Sequence, residues 1–227
     1  GIIPNFTLTG VDLTDDIARE AAKYVGAIAV SAYPRQKDTC YNTVRTFLDL
    51  GVKQTNIHLL YHDDNLEFVS GVLEDILADP RLRGLNACVL LSAKSKGRGK
   101  KLKPLAQPEF NVLVSYAMHN NIPLGFDSCS TPKFFKWMET AGIDDDTKKK
   151  YEMLAEPCEA ELFSCYISVN GTAFPCSFCE GESGVEGVDA LAANDFLRDV
   201  WYSEPFIEFR QRNIANGRKC LAFPEIN

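Results

Sequence analysis

The sequence predicts an α/β fold in two parts, a partial (β/α) barrel of parallel strands and a small α+β C-terminal extension. Three observations carry this. Short apolar runs of strand length alternate with helical segments from residue 5 to about 127. The helical segments are punctuated by capping residues at their starts and glycines at their ends. After Asp127 the alternation stops, and a hairpin signal and a group of cysteines replace it. Apolar strands separated by helices form parallel βαβ units with both sheet faces covered.

The elements follow in order. Asn5 to Thr9 reads as the first strand, followed by a helix with Thr14 as N-cap, Asp15 and Asp16 in its first turn and Gly26 past its end. Ala27 to Ser31 is the second strand, and a helix from about Thr39 to Leu50 stops at Gly51. Asn56 to Tyr61 is the third strand, with a helix over Leu66 to Leu77. Leu85 to Ser92 is the fourth, and Pro108 opens a helix running to about Asn120. Pro123 to Phe126 makes a short fifth strand. Beyond it, helices are expected over Thr131 to Thr140 and Lys148 to Leu154. A strand from Leu162 to Val169 turns at Asn170-Gly171 into Thr172 to Phe174. Asn194 is expected to cap a short helix through Trp201, and Ser203 and Pro205 start a last one that ends at Gly217.

Composition limits the function classes. The 227 residues are 45% hydrophobic and 24% charged, enough for a substantial core. No apolar run approaches the roughly 18 residues of a membrane span. Gly1-Ile2-Ile3-Pro4-Asn5 lacks the basic and apolar regions of a signal peptide, so a cytoplasmic location is expected. A net charge of −7 argues against a nucleic-acid partner. The opening runs almost directly into a strand, as if the chain began inside a larger fold.

Alternation within the strands gathers polar residues on one side. Asn5, Thr7 and Thr9 share a face, as do Ala29 and Ser31, Asn56 and His58 with His62 beyond, and Ser92 with Lys94. The C-terminal strand ends are where barrels and open sheets build their sites. The loop Lys94 to Lys101 is the one dense basic stretch. It reads first as a solvated, mobile charge run, and second, because its two glycines permit backbone approach to an anion, as a contact to a carboxylate, phosphate or acidic substrate.

Of eight cysteines, Cys158, Cys165, Cys176, Cys179 and Cys220 lie within the extension, and Cys129 lies at its junction with the strand–helix part. Thiolates bind soft metals and clusters, and a hairpin with two short helices is too little for an independent core. A bound metal would supply the missing stability. Cys129, Cys158, Cys176 and Cys220 fall on loops and can converge; Cys176-x2-Cys179 is a chelating spacing by itself. Phe163, Cys165, Ile167 and Val169 alternate on one apolar strand face, which makes Cys165 a core residue. Cys40 and Cys88, in a helix and an apolar strand, read as buried thiols. Free thiols or disulfides remain the alternatives to a metal site.

Residues 1 to 127 resemble the later part of the partial barrel of radical S-adenosylmethionine enzymes. Thr7-Leu8-Thr9-Gly10 resembles that family's third-strand Thr-Asn-Gly, Ala29-Val30-Ser31 its fourth strand, and Val89-Leu90-Leu91-Ser92 its sixth. Residues 128 to 227 resemble the auxiliary-cluster extension called SPASM or twitch, through Asp127-Ser128-Cys129-Ser130, the Gly-x4-Cys hairpin Gly171 to Cys176, the helix Trp201 to Arg210 and the late Cys220. The resemblance implies an auxiliary [4Fe-4S] cluster on Cys129, Cys158, Cys176 and Cys220. It also implies an S-adenosylmethionine and substrate cavity lined by Thr9, Ser31, Asn56 and His58. The family's Cys-x3-Cys-x2-Cys loop and Gly-Gly-Glu segment occur nowhere in this sequence. A second [4Fe-4S] cluster is therefore expected on an N-terminal part that this chain lacks.

The expected function is the C-terminal portion of a radical S-adenosylmethionine enzyme, acting on a peptide, protein or small molecule and drawing electrons from a flavodoxin or ferredoxin. The alternative is a non-catalytic zinc-binding protein of degenerate barrel fold.

Overall fold

The computed structural model describes residues 1–227, the side chain of Leu154 aside. Five strands form one sheet: β1 (Asn5–Leu8), β2 (Ala27–Ser31), β3 (Gln54–Tyr61), β4 (Ala87–Ser92) and β5 (Leu124–Phe126). Every neighbouring pair is parallel, and the spatial order is the chain order. A sheet laid down without reversal progresses as a barrel does, whereas a doubly wound sheet switches direction at its first strand. The α/β class and the parallel strands are as the sequence predicts.

Four helices, α1 (Asp15–Ala22), α2 (Lys37–Asp49), α3 (Leu66–Ala78) and α4 (Gln107–His119), link the strands, and α5 (Thr131–Thr140) follows β5. Thr14 caps α1 by accepting the Ile17 N–H at 3.3 Å. Period-two alternation sends Ile28, Val30, Ile57, Leu59, Cys88 and Leu90 to one face, where they form one buried core with Val44, Phe47, Val69, Leu73, Phe110 and Val114. Phe126 extends it by stacking on Phe134 at 4.4 Å, and Phe134 on Trp137 at 5.5 Å. Cys40 and Cys88 are fully buried here, and burial pushes both thiols up to about 12, so they are inert packing groups. The opposite face carries Thr7, Ser31, Asn56, His58 and Leu60 and is half-buried or exposed.

After α5 come α6 (Asp145–Leu154), a small antiparallel sheet of β6 (Tyr166–Ile167), β7 (Thr172–Phe174) and β8 (Val188–Asp189), a π-helical turn over Leu197–Trp201, and α7 (Glu204–Ala215). Several expectations need correction. The helix predicted from Lys148 starts at Asp145, because the Asp144 carboxylate accepts the Thr147 N–H at 2.9 Å and fixes the earlier start. The strand predicted from Leu162 to Val169 shrinks to two residues. The Glu159 carbonyl accepts from the amides of Leu162 and Phe163, which forms a turn there instead. Phe163 and Val169 are 71% and 98% exposed, so the apolar alternation marks no buried face. Cys165 nevertheless packs in a small core with Ala173, Val200 and Phe206. The short helix through Trp201 is capped by Asp195, which accepts the Arg198 N–H at 3.0 Å, rather than by Asn194. The turn at Gly171 stands as predicted, with φ of +80°.

Candidate cysteine centre

The extension's loops bring five thiols to the end of the barrel sheet. Cys129 lies in the turn after β5, whose first residue Asp127 accepts the Ser130 N–H at 2.9 Å. Cys158 is tied to the C-terminal tail in both directions: its N–H donates to the Arg218 carbonyl and its carbonyl accepts from Arg218 Nε, each at 3.1 Å. The same guanidinium donates to Glu156 Oε1 at 2.8 Å and to the Pro157 carbonyl at 3.0 Å, so Arg218 fixes the approach to Cys158. Cys176 and Cys179 bracket a tight turn closed by the Cys179 N–H on the Cys176 carbonyl at 3.0 Å. Their sulfurs stand 3.5 Å apart. Cys220 is held by its N–H on Asn227 Oδ1 at 2.8 Å, and its sulfur accepts the Phe223 N–H at 3.3 Å.

The thiols act on one another's ionisation. The Cys179 S–H, with the amides of Phe178 and Cys179, favours the Cys176 thiolate and holds that thiol well below its ordinary value, while Cys179 is raised by the same contact. Cys129 and Cys220 also shift each other: Cys129 is lowered first by Cys220 and also by Lys94, with burial opposing, and Cys220 is raised by Cys129. Cys158 is raised first by burial, and lies close enough to Cys129 and Cys176 to feel both. Asn213, fully buried on α7, donates to the Ala160 carbonyl at 3.0 Å, two residues from Cys158. The arrangement is two thiol pairs with Cys158 beside them.

The donor set distinguishes between metals. A tetrahedral zinc site with bonds of about 2.3 Å draws its sulfurs to about 3.8 Å from one another. Among the described residues no three of these sulfurs lie within 4.8 Å of one another. An iron–sulfur cubane puts its irons at separate corners, so its thiolates stand farther apart than ligands sharing one ion. No three of the described thiols are drawn together as one ion would draw them, and the five free thiols can supply the ligands of a cluster. Another ligand-like group, His62, Asp63 and Asp64, lies on a 3-10 turn, but His62 Nδ1 accepts the Asp64 N–H at 3.2 Å as a cap.

The polar strand residues are less unified than the sequence suggests. Ser31 and His58 stand opposite each other in the β2–β3 register, on the face away from the helices. Burial holds the His58 imidazole below its ordinary value, with the Asp127 charge opposing. Asn56 shares that face and accepts from Asn86 Nδ2 at 2.8 Å. It is not at a C-terminal strand end, because β3 starts at Gln54 and runs on to Tyr61. A shallow cavity of 210 Å³ is lined by Thr7, Ala29, Asn56 and His58 among others, but not by Thr9 or Ser31. Thr9 is exposed beyond β1, and its Oγ1 accepts the Val11 N–H at 3.3 Å. Ser92 pairs with Tyr61 in the ladder and belongs to the buried face.

The basic loop after β4 is only partly solvated. Lys94 is buried against Asp127 at 2.7 Å, and Lys96 donates to the carbonyls of Phe178, at 2.8 Å, and Glu180. Sequence reasoning noted the loop's charge but not these partners. Nothing in the spacing of Lys94 and Asp127 signals an ion pair across 33 residues.

Residues 158–222 match the model of SPASM, the iron–sulfur cluster-binding domain. No curated protein and no solved structure matches the chain. The matched segment contains Cys158, Cys165, Cys176, Cys179 and Cys220, whereas Cys129 lies outside it on the barrel side. The match supports iron–sulfur cluster binding, and the segment's free thiols are donors of the kind such a cluster takes. No helix among the described residues is long and apolar enough to cross a membrane.

Proposed function

We propose that this chain is the C-terminal portion of a radical S-adenosylmethionine enzyme. In this reading residues 1–127 are the later barrel units and residues 128–227 the auxiliary-cluster domain. Cys129, Cys158, Cys176 and Cys220 hold an auxiliary [4Fe-4S] cluster, with Cys179 the nearest substitute for Cys176. The observation that carries this is the gathering of five free thiols, four from the SPASM-matching segment and one from the barrel side. A bound cluster would supply one-electron redox capacity beside the barrel's end.

The residues of this chain would do the rest. Arg218 orients the Cys158 backbone, the Phe223 amide donates to the Cys220 sulfur, and the Phe178 and Cys179 amides favour the Cys176 thiolate. Amide and side-chain hydrogen bonds of this kind set how readily a cluster accepts an electron. The open sheet face, with Ser31, Asn56 and His58 and with Thr9 at its rim, would bind S-adenosylmethionine and substrate. A second cluster on an N-terminal part would cleave the sulfonium. The substrate is a peptide, protein or small molecule, the reductant a flavodoxin or ferredoxin, and the setting cytoplasmic.

An alanine series tests the ligand set. Anaerobically reconstituted Cys129→Ala, Cys158→Ala, Cys176→Ala and Cys220→Ala should each lose most of the bound iron, with Cys165→Ala, Cys40→Ala and Cys88→Ala keeping it. Full iron in all of the first four variants would remove the assignment.

A further inference from the structure

Lys94 stands out among the groups that surround the thiols without being one of them. It follows β4, where the chain turns into the basic loop, and its side chain is only 5% exposed. Asp127 Oδ2 accepts from Lys94 Nζ at 2.7 Å. Asp127 is itself oriented by the Ser130 N–H at 2.9 Å and the Ser92 N–H at 3.4 Å. The Phe178 ring, which lies between Cys176 and Cys179 in the chain, has its centroid 4.8 Å from the same ammonium. Asp127 lies two residues before Cys129 and Phe178 two residues after Cys176, so both contacts hold the Lys94 ammonium beside segments that carry the thiols.

Burying an ammonium costs several kcal/mol unless it is paired. Asp127 alone meets that requirement, so the placement of the ammonium against the Phe178 ring, within the turn that joins Cys176 and Cys179, is a separate feature of the design. Lys96 supports it from the same loop: it donates to the carbonyls of Phe178 and Glu180 and pairs with Glu182 at 3.3 Å, which fixes the backbone that carries the Phe178 ring.

We propose that Lys94 is a positioning residue that supplies a fixed positive charge to the cysteine centre, anchored by Asp127, and that it raises the reduction potential of the iron–sulfur cluster bound there. The inference rests on the iron–sulfur reading of the site. Reduction adds negative charge to a cluster already surrounded by thiolates. A cation held close by in a low-dielectric setting stabilises the reduced form more than the oxidised one. Asp127 partly offsets the charge, so its removal and the removal of Lys94 should move the potential in opposite directions.

The test is an EPR-monitored redox titration of the reconstituted full chain and of Lys94→Met, Lys94→Arg and Asp127→Asn. Lys94→Met should lower the equilibrium constant for one-electron reduction about tenfold, a shift of about 59 mV to more negative potential. Lys94→Arg should recover most of that, and Asp127→Asn should shift the potential upward. A merely structural role would move Lys94→Met and Asp127→Asn the same way. That result, or an unshifted Lys94→Met with full iron, overturns the proposal. If Lys94→Met assembles no cluster, the sign for Asp127→Asn decides, upward supporting and any other result opposing. If the wild-type chain takes up no iron, the reading of the site fails and the proposal falls with it, whereas full iron with an unshifted Lys94→Met overturns the proposal alone.

Discussion

Glu161 combines a φ of +61° with a fully buried side chain, and among the described residues neither carboxylate oxygen has a hydrogen-bond partner. Arg210 approaches one oxygen only to 3.8 Å. Burial pushes the carboxyl up to about 8 from its ordinary 4.5, with Arg210 opposing. The folded chain therefore keeps a proton that the unfolded chain releases above about 4.5. Its stabilising effect is complete below that pH and is lost as pH rises toward 8. Glu161→Gln should remove this dependence and raise the melting temperature by roughly a few degrees at pH 8 relative to wild type, with little difference at pH 5. Parallel melting curves across that range check it, and equal pH slopes for the two proteins would contradict it. The thiols differ by setting in the same way. Cys176→Ala should lose the metal and loosen the hairpin, whereas Cys40→Ala, within the helix–sheet core, should do neither; iron analysis with amide hydrogen exchange over residues 166–179 separates them.

At the scale of elements, the hairpin that carries Cys176 depends on Gly171. A Cβ there would lie 2.3 Å from Leu191 Cγ in a backbone conformation that disfavours side chains. Gly171→Ala should cost about 2 kcal/mol or more and lower the melting temperature by roughly 4–8 °C, with iron lost in parallel. A variant that melts with wild type would show that the turn is not required. The barrel strands were legible because their core residues alternate with period two between strong caps and glycines, as in Ile28 and Val30 or Ile57 and Leu59. The extension was less legible because its strands have two or three residues, too short for a period to register. Phe163, Ile167 and Val169 imitate a stripe yet remain exposed, since the turn at Glu159 interrupts the strand. The loop thiols could be picked out because each flanks a proline, a turn or a chain end. The placement of Asn56 away from a strand end, and the use of Lys94 and Lys96, depend on contacts between distant segments that no local pattern records.

On the scale of the whole molecule, the cysteine centre sits where the parallel sheet ends and the extension begins, and it draws on both. Cys129, Lys94 and Asp127 come from the sheet side, and Cys158, Cys176, Cys179 and Cys220 from the extension. A bound cluster would thus join the two parts, as the small cores of the extension are too slight to do alone. This 227-residue chain by itself should not produce deoxyadenosine from S-adenosylmethionine under dithionite, because its sequence has no Cys-x3-Cys-x2-Cys loop for the cleaving cluster. Product formation above a no-protein control would contradict that. The most direct measurement of the central claim is metal and acid-labile sulfide analysis of the anaerobically reconstituted chain. The account predicts a brown protein with roughly four iron and four sulfide per chain. A colourless protein that holds zinc, or one with no metal and reactive thiols, would contradict it.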